Sequence, residues 1–214
     1  MKTNFNLFVV LLVVTLWSCK EEVKLSEYKF ADKPTVINCG GEDEKLYNEA
    51  LYAFEDDISS FYKNNNNPNG NLMLVYSQFL RNYETNRMNF EELVTPHTLE
   101  VFNVLKTKKD VWNPEGTESK LNYYGSFFSC IADNVKDQNL KATLDALLTT
   151  HSMSPRMFSS PLVTKYSIAA SDKYLSAYVA FDLFYAKLFD IDPTKVKERQ
   201  INFNQIPSVP NTSN

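Results

Sequence analysis

The stretch from Ser171 to Phe189 constrains the fold most, because it offers water almost no face. At 100° per residue only Asp172, Ser176, Lys187 and Asp190 share a narrow polar stripe, and nearly every other position is apolar. A helix that is apolar almost all round has to be enclosed by other elements. Asp182 lies off that stripe, among Leu175, Tyr178, Phe181, Tyr185, Ala186 and Phe189. An all-α, single-domain bundle of six to eight helices, packed around this long C-terminal helix, is the fold expected.

The rest of the chain supplies the surrounding helices. Tyr47, Leu51, Phe54, Ile58 and Phe61 recur at helical spacing after the acidic Glu42-Asp43-Glu44, which predicts a helix over 43–63. Asn64 to Gly70 forms a polar break, and a second helix follows over 72–83. Thr95-Pro96 caps and opens a helix to about Thr107, and Ser119 is a candidate cap for one carrying Tyr124, Phe127, Phe128, Ile131 and Val135. Asp137 turns the chain into Leu140 to Leu148, while Ser154-Pro155 and Ser160-Pro161 each predict a short helix start. The chain holds only five glycines, which suits helices better than strands and tight turns. Leu46 to Phe61 resembles one helix of a tetratricopeptide hairpin, but no second copy follows at the period of about 34 residues which that family requires.

The N-terminus speaks of location. Lys2 precedes an apolar run from Phe5 to Trp17, with the small Ser18 before Cys19, the layout of a secretory signal peptide over 1–18. The run falls short of the ~20 apolar residues that cross a bilayer. Leu16 and Ser18, three and one positions before Cys19, resemble the lipobox of Gram-negative bacterial lipoproteins. That resemblance implies cleavage before Cys19, acylation of its thiol with chains such as palmitate, and attachment to the outer membrane through the lipid. Lys20-Glu21-Glu22 is similar to the lysine-acidic-acidic export signal of surface-displayed lipoproteins. Residues 19–41, with Pro34 and Gly40-Gly41, are then expected to be a flexible tether that becomes ordered near Cys39, 42–192 the helical domain and 193–214 a polar, partly disordered tail.

Loss of Lys2 with the signal moves the net charge from −4 to about −5, which argues against nucleic acid as a partner. Cys39 and Cys130 remain in an oxidising compartment, where a disulfide is favoured over two buried thiols. Such a bridge would close a loop of about 92 residues and stabilise by roughly 4 to 5 kcal/mol in the chain-entropy model.

Few residues suggest chemistry. His97 and Glu100 lie on one helical face, but a bundle metal site needs a second such pair, and no acidic residue stands three or four positions before His151. No metal and no cofactor is expected. Gly-x-Ser-x-Gly, phosphate-loop and His-Glu-x-x-His patterns are missing from the sequence. Asp182 is the one acid whose apolar setting looks costly, to be relieved by Arg156, Lys165 or Arg81, or by tyrosine hydroxyls. Tyr123, Tyr124 and Trp112 are candidate binding aromatics, and Asn122 to Phe128 could stack a sugar or a partner side chain. Asn211-Thr212-Ser213 matches a glycosylation sequon, which a bacterial lipoprotein would not ordinarily use. The function expected is non-catalytic: an accessory subunit of an envelope secretion or assembly machine, or an immunity protein. Glycan or small-ligand capture is the alternative, and a carboxylate-dependent hydrolase the third.

Overall fold

A computed structural model describes residues 23–39, 41–63 and 70–197. The signal segment, Cys19, the charged triplet 20–22, the polar break at 64–69 and the tail from 198, sequon included, lie outside the described residues. Among those described, nine α-helices form one all-α domain with no strand. None of these helices is long and apolar enough to cross a membrane.

The helices are α1 (Glu44–Phe61), α2 (Leu72–Glu84), α3 (Phe90–Leu93), α4 (Pro96–Leu105), α5 (Ser126–Asn134), α6 (Gln138–Thr149), α7 (Pro155–Thr164), α8 (Tyr166–Ser171) and α9 (Lys173–Tyr178). Several starts were legible in the sequence. The side chains of Asn71, Thr95, Asp137, Ser154 and Asp172 each accept a hydrogen bond from a first-turn amide, which satisfies a donor that the helix itself leaves unpaired. Ser160-Pro161 starts nothing: Pro161 lies inside α7, and the chain breaks instead at Lys165.

The expected central element is central but not one regular helix. Asp172 interrupts it, its carboxylate accepting from Tyr174 N at 3.1 Å and from Lys136 N at 2.7 Å. After α9 the backbone widens into a π-helical turn, Val179–Phe184, then tightens into a 3-10 turn, Tyr185–Phe189. This change of pitch dissolves the polar stripe, so Asp172 and Ser176 are buried while Asp190 is exposed. The widened turn sends Phe181 against Phe127 (4.5 Å between ring centroids) and Tyr47, and Phe184 against Phe54 (5.1 Å) and Phe79. Tilted and edge-on pairs of this kind add to the burial of apolar area.

One boundary differs from expectation. Most of the predicted tether is part of the body: residues 23–39 run along α1, with Ile37 fully buried. Asn48 on α1 accepts from Val36 N (2.8 Å) and Ile37 N (3.1 Å) and donates to Ile37 O (2.9 Å). Glu49 accepts from Lys29 N and Phe30 N, and the Tyr52 hydroxyl donates to Pro34 O at 2.7 Å. The side chains of α1 thus do for this strap what a neighbouring strand would do in a sheet. At the other end, order continues past 192 into a 3-10 turn, Pro193–Lys195, capped by Asp192.

Candidate functional site

Residues 106–125 join α4 to α5, and the loop 113–125 within them covers the π-helical turn. The loop is pinched at its base, where Trp112 and Leu121 pair, Asn113 N donates to Lys120 O at 2.7 Å and Asn122 N donates to Val111 O at 2.8 Å. Ser119, the expected helix cap, sits inside this loop. The cap of α5 is Asp110, whose carboxylate accepts from Ser126 N and Phe127 N, each at 2.8 Å. Burial raises the Asp110 carboxyl, but those amides and the Ser126 hydroxyl outweigh it and hold the group below its usual range. Gly125 makes room for this cap, since a Cβ there would stand 2.1 Å from the Asp110 carbonyl oxygen.

Asp182 is fully buried beneath the loop. Its carboxylate accepts from the hydroxyls of Ser119 and Tyr123 (2.8 Å for the tyrosine), while the Tyr178 hydroxyl on the same helix donates to Pro155 O at 3.4 Å. The tyrosine hydroxyls foreseen as partners are present, whereas the cations are not: Lys165 pairs with Asp137 at 3.3 Å, and Lys187 is the cation that acts on Asp182. Burial pushes Asp182 up from 3.8 to about 6, against the hydroxyl hydrogen bonds and Lys187, which pull it down. Tyr123, Tyr178 and Tyr83 are all raised, first by burial and then by the Asp182 charge. A buried acid on a π-helical turn is an arrangement often met at functional sites.

The candidate aromatics fare differently. Trp112 offers no platform, being buried with its indole N–H donating to Leu105 O at 2.8 Å. Tyr123 spends its hydroxyl on Asp182, and Phe127 and Phe128 are core. Tyr124 alone of this group faces outward, 64% exposed, with its hydroxyl 2.7 Å from His151 Nδ1 and the two rings 5.4 Å apart. His151 holds this position from a left-handed backbone conformation, φ 53°, at the end of α6.

His97 and Glu100 do not act together. His97 Nε2 lies 2.7 Å from Glu49 Oε1, while Glu100 accepts from the Ser26 hydroxyl at 3.0 Å. Among the described residues no group of His, Cys, Asp and Glu could hold a metal. Cys39 and Cys130 form a disulfide, with Cα atoms 5.5 Å apart, that ties the strap to α5. Sequence reasoning passed over Asp110, Asn48 and Glu49. Asp110 has no local signal, because its targets lie 16 and 17 residues away. Asn48 and Glu49 did carry one, as polar residues beside the apolar face of α1.

Comparison with protein-family models, curated proteins and solved structures finds no match.

Proposed function

We propose that the chain is a lipid-anchored binding protein of the cell envelope, held on the outer membrane by acylated Cys19 and displayed at the cell surface. It serves as a non-catalytic, protein-binding accessory subunit of a secretion or assembly machine, or as an immunity protein that occludes an arriving toxin. The disulfide Cys39–Cys130 carries the export half of this reading, since such bonds persist in oxidising compartments. The non-catalytic half draws support from the way the reactive groups are distributed. His97 is engaged by Glu49, His151 by Tyr124, and Asp182 by Ser119 and Tyr123, in three separate clusters. A glycan-capture reading keeps one foothold, the exposed ring of Tyr124 beside His151.

The test is mild crosslinking of the full-length lipoprotein in detergent-solubilised envelopes, with Cys19→Ala as the control. A stoichiometric protein partner that depends on Cys19 supports the binding-subunit reading. Recovery of the bait alone, together with a thermal shift on adding oligosaccharides that Tyr124→Ala abolishes, would replace it with glycan capture. Labelling by a palmitate analogue that survives in Cys19→Ala would defeat the anchor.

A further inference from the structure

The 113–125 loop is held at its base by backbone hydrogen bonds and in its middle by a single carboxylate. We propose that this loop is a latch governed by one proton: it is held shut while the Asp182 carboxyl is neutral and loosened when the carboxyl ionises.

The geometry supplies the coupling. Ser119 and Tyr123 face Asp182 from the loop, Tyr178 and Lys187 from its own helix, and Tyr83 from α2. Only Lys187 among these is a cation, and the phenols are pushed upward and stay neutral at ordinary pH. Shut, the site therefore offers an ionised Asp182 the Ser119 and Tyr123 hydroxyls and one ammonium in place of water, and these offset only part of the cost of burial. Opened, the loop withdraws Ser119 and Tyr123 and admits water, and the acid returns toward its ordinary range.

A proton thus binds more tightly to the shut form and favours it by linkage. With the acid near 6 when shut and 3.8 when solvated, the open-to-shut ratio rises as pH climbs from about 4. It levels off above about 6, roughly a hundredfold higher. Tyr124 follows Tyr123 directly, so loosening the latch also frees the exposed ring from its place beside His151. What the surface presents then depends on the acidity outside the cell.

Amide hydrogen exchange on the mature, disulfide-bonded protein tests this, reading Leu121 and Asn122, whose N–H groups are bonded to Ser119 Oγ (3.0 Å) and Val111 O (2.8 Å). After correction for intrinsic rates, their protection is expected to fall roughly a hundredfold from pH 4 to pH 7, and to be independent of pH in Asp182→Asn. Tyr123→Phe removes a donor to the ionised acid and should carry the fall to higher pH, which keeps the test open if Asp182→Asn does not fold. Protection that is flat in the native protein, or a dependence that survives in Asp182→Asn, would overturn the latch. So would its loss in His151→Asn, or Leu121 and Asn122 amides exchanging no faster than those of α1.

Discussion

Asn48 grips Ile37 by both of its backbone groups, accepting from the N–H at 3.1 Å and donating to the carbonyl at 2.9 Å. It also donates to Glu44 O at 2.9 Å, so one amide side chain fastens the strap to α1 and stiffens the first turns of that helix. Asn48→Ala should therefore cost about 2 to 4 kcal/mol, because it leaves buried backbone groups unpaired as well as removing bonds. Urea denaturation measures the loss, and limited proteolysis should show earlier cleavage within 23–39. Wild-type stability in that variant would mean that Ile37 alone holds the strap.

Asp182 sets a pH dependence whose sign follows from its direction of shift. Its folded value, about 6, stands above its ordinary 3.8, so the stability it confers is fully present below about 4 and is lost as pH rises through 6. Replacing it by asparagine, which keeps an acceptor for Ser119 and Tyr123 without the charge, should raise the unfolding free energy at pH 7.5 by up to about 3 kcal/mol. At pH 4 the gain should vanish. Denaturant titrations at four pH values between 4 and 7.5 decide the matter, and an equal effect of the substitution at every pH would refute this assignment of the charge.

The disulfide joins residues 91 positions apart. Changing Cys39 and Cys130 together to serine should lower stability by roughly 2 to 5 kcal/mol and leave helix content intact at room temperature. Circular dichroism melts with and without reductant give the measurement. Native protein indifferent to reductant in its melting would show that the bridge closes an already ordered loop.

Gly125 is required for its lack of a side chain. In Gly125→Ala the new methyl would fall 2.1 Å from the Asp110 carbonyl, so the loop must move away from the start of α5. The expected cost is about 1 to 3 kcal/mol. Asp110→Ala, which removes the cap itself, should cost about 1 to 2 kcal/mol. Thermal unfolding of both single variants and the double should show less than additive losses, because both act on the same junction.

How far the sequence foretold all this depends on the range over which each cause acts. Local causes were legible: apolar spacing placed α1, α2 and α4, and the Thr95, Asp137 and Ser154 caps act within three residues of themselves. The burial of Asp182 was legible too, since it stood among apolar neighbours on any helical projection. Its partners were not, because Ser119 and Tyr123 lie 63 and 59 positions away and arrive through a loop fold. Ser119 misled for the same reason: it looks like a cap, yet Asp110 reaches across from the far side of the loop to take that role. The strap was hidden because its hydrogen bonds come from side chains of another helix, which leave no periodicity in residues 23–39. The π-helical turn after Tyr178 likewise answers to tertiary packing, for Phe181 and Phe184 are drawn to different aromatic neighbours.

The bridge between Cys39 and Cys130 also decides where strain would run if the chain were tugged from the side of residue 23. A pull arriving through residue 23 would first load the hydrogen bonds of Lys29 and Phe30 to Glu49 and of Ile37 to Asn48. Once those gave way, tension would pass across the sulfur atoms straight to Cys130 in α5. The 91-position span between the two cysteines, α1 through α4 and the 113–125 loop, would be bypassed as a slack circuit. A body drawn from both sides, at residue 23 and at α5 to α9, could therefore be stretched hard without unthreading its first four helices.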